Sequence, residues 1–208
     1  MHKPASYITE LIYSRIVQEQ LKKLGELKSP NIIYVTDLVS CTHKYHLRKK
    51  FPELTIVFEP AAVLGDLAHL GLEKILMEKG IKVEVDLVKY VQVGNEIYLV
   101  KGRADAVDES RELVIEVKTS RSSLNLPRDH HVKQLNFYLE ITGFNNGIII
   151  YITPEKIVEY EIARQPISIE NEVLDLLNNK HHPRYTWECN YCPYKRICSY
   201  YSPTAREA

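Results

Sequence analysis

This sequence predicts a mixed α/β core whose sheet is covered by helices, and three observations lead there. Helical periodicity fills the first third of the chain, the period changes to two after Gly80, and helical and extended segments alternate from there on. Elements in that order pack as a sheet with helices laid over it. At 208 residues, 45% of them hydrophobic, the chain can build one substantial core, or a core with a small appendage.

The elements follow in order. From about Ser6 to Leu27, Ile8, Leu11, Ile12, Ile16, Leu21 and Leu24 recur at helical spacing, and Lys28-Ser29-Pro30-Asn31 ends the helix. Ile32 to Val35 is a short extended run. Thr36 is the expected N-cap of a helix that starts near Asp37, includes Cys41 and borders the basic stretch His43 to Lys50. A loop from Phe51 to Pro60 leads to a helix over Ala61 to Lys79, with Leu64, Leu67, Ala68, Gly71, Leu72 and Ile75 as its expected apolar face. Strands at Ile81–Val93 and Ile97–Val107 meet at Gly94-Asn95, and Asp108 to Arg111 turns the chain into a third strand from Leu113, giving an antiparallel meander. A helix at Asp129–Ile141, strands at Gly147–Ile152 and Ile157–Ile162, and a helix at Ile169–Asn179 complete the pattern. The chain is expected to form one integrated domain: an N-terminal helical region (1–60), a core (61–168) and a C-terminal helix with a cysteine-bearing segment (169–208).

Charge and composition narrow the function classes. Lys plus Arg (27) equals Asp plus Glu (27), so any nucleic-acid contact must come from a local patch, of which His43 to Lys50 is the densest. The N-terminus lacks the pattern of a signal peptide, and no stretch approaches the ~20 apolar residues of a membrane span, so a cytoplasmic protein with no membrane partner is expected. No Gly-rich loop followed by Lys-Ser/Thr occurs, which argues against a helicase of that type.

Chemistry concentrates in Leu113-Val114-Ile115-Glu116-Val117-Lys118. Alternation puts Glu116 and Lys118 on one strand face, and a buried face tolerates an acid and a base only when they are paired or bind a metal. An isolated Glu-x-Lys is usually a salt bridge at a sheet edge. Here Asp105, just past a hinge-like Gly102 in the neighbouring strand, can reach the same face, so that two carboxylates and a lysine converge on a sheet edge, and His69 lies on or beside the apolar face of its helix. Asp105 and Glu116 would hold a divalent ion, with His69 as a further ligand and the carbonyl of Val117 completing the shell; imidazole shifts preference toward manganese over magnesium. Lys118 would orient water or stabilise developing charge. Gln134 and Tyr138, four apart on a helix, would share a face, Gln134 touching Lys118 or a phosphate and Tyr138 stacking or donating to the DNA backbone.

The cysteines divide one plus three: Cys41, then Cys189, Cys192 and Cys198. In a reducing compartment these are better read as metal-holding thiolates than as disulfides. Zinc and an iron–sulfur cluster compete. Zinc sites commonly use two Cys-x2-Cys knuckles, and Cys41 has no neighbouring partner, so the cluster is favoured. Either centre would clip the tail onto the N-terminal region and contribute to folding.

Together these residues resemble the PD-(D/E)xK nuclease superfamily, specifically the RecB-like nucleases associated with CRISPR loci. Asp105 matches the motif aspartate (Ala104 standing where the family name has proline), Glu116-Val117-Lys118 the E-x-K element, Gln134 to Tyr138 the Q-x3-Y motif and His69 the upstream histidine. Cys41 with Cys189, Cys192 and Cys198 matches a set that holds a 4Fe-4S cluster, although two-iron members exist. The resemblance implies a restriction-endonuclease-like fold with an iron–sulfur module joining the N-terminal and C-terminal regions. It implies an exonuclease on single-stranded DNA, using Mn2+ or Mg2+ with 5′ to 3′ polarity, in some members also cutting internally. It also implies work in spacer acquisition beside CRISPR integrase proteins, as a monomer or a ring-shaped homo-oligomer. The main alternative is a non-catalytic DNA-binding scaffold subunit; a redox protein would leave Asp105, Glu116 and Lys118 unexplained.

Overall fold

A computed structural model describes residues 5–203; the ends of the first and last expected regions, 1–4 and 204–208, lie outside them. Helix α1 (Tyr7–Lys28) leads into β1 (Ile32–Tyr34), then a single turn α2 (Val35–Leu38), α3 (Thr42–Lys50) and α4 (Pro60–Met77). Strands β2 (Lys82–Val93), β3 (Glu96–Asp108) and β4 (Leu113–Thr119) form the expected meander. Then come α5 (Asp129–Thr142), β5 (Asn146–Ile152), β6 (Ile157–Ala163), α6 (Ile169–Leu177) and the short α7 (Glu188–Tyr191). Among the described residues no helix is long and apolar enough to cross a membrane.

The sheet runs β1-β3-β4-β5-β6, with β2 also paired to β3. The β4–β5 pair is parallel, and α5 makes the crossover between them. Its register sets Glu116 beside Ile149 and Lys118 beside Tyr151, so the charged pair shares a face with buried apolar residues. Leu135, Phe137 and Leu139 of α5, together with Val173 and Leu176 of α6, fill the core over Val114 and Ile149. The polar pair therefore lies inside a central strand, flanked by β3 and β5, and not at the sheet edge the sequence suggested.

Around Asp105 the ladder opens on both sides. Pairing of β3 with β1 covers Leu99 to Lys101 and pairing with β4 begins only at Ala106, leaving Gly102 to Asp105 unpaired on that flank. On the other flank the β2–β3 register skips the Glu84–Asp105 level, where Glu84 takes φ 48°.

Three expectations require correction. Cys41 is not inside a helix: α2 is a single turn whose Asp37 carboxylate caps the Tyr34 amide, and Cys41 stands at the N-cap of α3. The face α4 turns inward is not its leucine stripe, since Leu64, Leu67 and Ile75 are each more than half exposed, whereas Glu73 is buried. Gly102 is not a hinge. It makes room for an aromatic ring, because a Cβ there would lie 2.5 Å from Cε1 of Tyr138.

Gly102→Ala is accordingly expected to lower stability by about 1–3 kcal/mol, the usual scale of overpacking. In a Tyr138→Ala background most of that loss should disappear, and thermal melting of the four proteins of the cycle would measure the coupling.

Candidate active site

The break in the ladder frees Asp105 for other partners. Its Oδ2 accepts from the backbone N–H of Val117 at 2.6 Å, so the carboxylate substitutes for a missing strand contact and is locked against β4. Its other oxygen, Oδ1, lies 3.3 Å from Nδ1 of His69 on α4. That hydrogen bond, opposed by burial, raises the basicity of His69. Helix α4 comes close enough for this because Gly65 has no side chain; a Cβ there would meet Thr119 Oγ1 at 3.3 Å.

Ligand atoms of His69, Glu73 and Asp105 fall within 4.8 Å of one another, close enough to grip one cation. Glu73 was absent from the sequence-based site. Its signal was the His69-x3-Glu73 spacing, which places both side chains on one helix face. Glu73 is 9% exposed, and burial raises its pKa.

Glu116 lies outside this tight group and is held from the other side. Its Oε1 accepts from Lys118 Nζ at 2.5 Å and from Gln134 Nε2 at 2.8 Å. Gln134 also donates to the Tyr138 hydroxyl at 2.9 Å. The Q-x3-Y pair therefore has a different task from the one its sequence suggested: Gln134 grips Glu116 and not Lys118, and Tyr138, 2% exposed under Gly102, cannot meet a DNA backbone. Both residues fix the rotamer of Glu116. Val117 contributes its N–H to Asp105, and its own side chain is buried in the core.

The second carboxylate oxygen of Glu116, Oε2, is buried without any hydrogen-bond partner. Burial pushes Glu116 up to about 7, against the opposing pull of Lys118. Lys118 loses hydration on burial, but the carboxylates of Glu116 and Asp105 outweigh that loss and keep it a firm cation. A buried anionic oxygen lacking a donor is costly. A divalent cation is the partner that suits it, and its neighbours supply mixed oxygen and imidazole donors for one.

The four cysteines are all thiols and line one cavity, between the start of α3 and the α7 segment. Direct protein bonds already hold its walls together. Glu188 accepts from the Cys41 amide at 2.8 Å and from the amides of Arg184 and Tyr185 at 2.9 Å each. The Thr42 hydroxyl and amide both donate to the His181 carbonyl, and buried Tyr194 donates to Phe51 O. Burial pushes the Cys41 thiol up to about 11, so deprotonation there requires a strong electrophilic partner.

The raised Glu116 fixes a sign. The folded, ion-free protein holds a proton on Glu116 between about pH 4.5 and 7 that the unfolded chain releases, so this group's contribution to stability falls as pH rises through that window. A cation needs the ionised carboxylate and the neutral imidazole, so Mn2+ affinity should rise with pH and level off above about 7. Calorimetry in buffers of differing ionisation enthalpy should detect more than one proton released per ion near pH 6, from Glu116 and His69 together, and binding that tightens by more than tenfold per pH unit below it.

Comparisons with known proteins bear on the family of the chain. A model of the PD-(D/E)XK nuclease superfamily matches residues 77–199. The CRISPR-associated exonuclease Cas4 of Saccharolobus solfataricus (strain ATCC 35092 / DSM 1617 / JCM 11322 / P2) is 40% identical over 200 residues, covering 92% of this chain and 97% of that protein. The crystal structure of SSO0001 superposes with a TM-score of 0.87 at 40% identity, covering 94% of this chain and 98% of the other. The family model spans more than half of the chain, and the similarity to the Cas4 exonuclease runs through nearly all of it. On these grounds, together with the Asp105, Glu116 and Lys118 constellation, this chain belongs to the Cas4-like nucleases of the PD-(D/E)XK superfamily.

Proposed function

We propose that this protein is a metal-dependent exonuclease that degrades single-stranded DNA, with 5′ to 3′ polarity, during the acquisition of new CRISPR spacers. The observation that carries the reading is the partnerless Oε2 of Glu116, buried beside a lysine and across from the His69–Asp105 pair. His69, Asp105, Glu116 and the Val117 carbonyl would hold Mn2+ or Mg2+, and Glu73 is placed to join them. When bound, such an ion activates water and offsets charge on the scissile phosphate. Lys118 stays protonated under the field of its two carboxylates, so it acts as a charged donor to the developing phosphorane oxygens or to the attacking water, and not as a base. Gln134 and Tyr138 hold Glu116 in position without touching DNA.

The four cysteines are read as the ligands of a 4Fe-4S cluster. What supports the reading is their one-plus-three division in the sequence and the single cavity that all four line. The stretches 1–60, 61–168 and 169–208 act as one integrated domain under this reading, joined by the Cys41–Glu188 and Thr42–His181 bonds. The partners are single-stranded DNA and the CRISPR integrase proteins.

Anaerobically purified protein with Mn2+ should degrade end-labelled single-stranded DNA, and the label released first gives the polarity. Lys118→Ala and Glu116→Ala should each cut at least about 10²-fold more slowly. Wild-type rates in both variants would overturn the site assignment, and tight binding without cleavage by the wild type would leave a scaffold. Cys192→Ala should lose iron and visible absorbance and melt at least about 3 °C lower; unchanged iron content would refute the cluster.

A further inference from the structure

A row of aromatic rings leads away from the strand that carries Lys118 and ends at Trp187, at the rim of the cysteine cavity; the residues grouped around Asp105 do not account for it. Tyr151 sits beside Lys118 in the β4–β5 register, and its hydroxyl is 2.8 Å from Nδ1 of His131. His131 and His130, in the first turn of α5, have ring centroids 4.1 Å apart. His130 lies 5.0 Å from Trp187 and 5.6 Å from Tyr185, and those last two rings are nearly parallel, 13° apart. The row thus spans from beside Lys118 to the residue just before α7.

Packing alone explains this row poorly. Trp187 is the chain's single tryptophan and is 41% exposed. The segment it belongs to is already held by Glu188, by the Thr42–His181 bonds and by Tyr194. Exposed Arg128 lies within electrostatic range of His130 at the N-cap of α5, and its guanidinium reaches Ser120 Oγ, two residues beyond Lys118. Aromatic faces beside an exposed arginine match the chemistry of an unpaired nucleotide: the base stacks and the arginine meets the phosphate.

We propose that Trp187, supported by Tyr185 and His130, is a base-stacking subsite for the unpaired strand next to the scissile phosphate, with Arg128 contacting its backbone. The subsite rests on the nuclease reading above and adds to it a physical basis for selecting single strands. A paired base keeps its faces stacked in the duplex and cannot offer one to Trp187 without first being unstacked, whereas an unpaired base can.

The test is a cycle between ring and base. Full-length protein carrying Lys118→Ala would be titrated with a labelled single-stranded oligonucleotide, and with the same oligonucleotide made abasic across its central positions. Adding Trp187→Ala should weaken binding of the intact strand about tenfold. It should change binding of the abasic strand less than about twofold, and Trp187→Phe should restore most of the loss. Equal effects of Trp187→Ala on both strands, or none on either, would overturn the subsite. If Trp187→Ala fails to fold, 5-iodouracil photocrosslinking to the unaltered ring decides the matter. Crosslinks on the peptide carrying Tyr185 and Trp187 support the proposal, and crosslinks confined to other peptides refute it. In parallel, protein with Lys118 intact would be assayed for cleavage of the same strand. Cleavage with a failed cycle removes only the subsite, whereas no binding and no cleavage removes the nuclease reading with it.

Discussion

The hydrogen bond from the Val117 amide to Asp105 is the contact on which the rest of the site depends. Between β1 and β4 the flank of β3 is open over four residues, and an open ladder inside a sheet would strand backbone donors. Asp105 resolves that by using one oxygen as a backbone substitute, which leaves the other pointing at His69. A single carboxylate thus closes the sheet and opens the site. Exchange for alanine loses both, whereas asparagine keeps an acceptor for the Val117 amide and loses the charge that faces His69.

From that contact the electrostatics follow in sequence. Glu116 and Lys118 are forced onto the α5 face by alternation, and that face is otherwise apolar. Each compensates the other's burial only in part, since one oxygen of Glu116 stays without a donor. Gln134 and Tyr138 limit the movement of the carboxylate, and Gly102 makes space for Tyr138. The packing of one glycine against one ring therefore reaches the functional carboxylate through two hydrogen bonds.

Much of this was legible from residue patterns. Strand alternation identified Glu116 and Lys118 as neighbours, and the turn chemistry at Gly94-Asn95 set the meander that brings Asp105 beside them. The helices and strands themselves mostly end within a residue or two of where periodicity put them. What periodicity could not supply was orientation in the third dimension. Helix α4 has enough leucines to define a stripe, yet Leu72 is half-buried together with Ala68 and His69 while Leu64 and Leu67 are exposed, because close approach to β4 favours small residues such as Gly65. Glu73 was overlooked for that reason. The partners of Gln134 and Tyr138 were likewise hidden, since a helix-face pattern says which residues lie together and not what lies opposite. Cys41 was placed in a helix because Asp37 looked like the start of a long one, whereas its carboxylate closes a single turn.

The bonds between Thr42 and His181 and between Cys41 and Glu188 join residues 139 and 147 positions apart in the chain. Contacts that distant are slow to form and cannot form at all until both segments exist. On the ribosome, the start of α3 must therefore wait, its amides bonded to water, until residues 181 to 188 have emerged. Later residues complete the structure of earlier ones, so a chain released before residue 181 would keep its nuclease motifs and lack the wall against which the start of α3 is built.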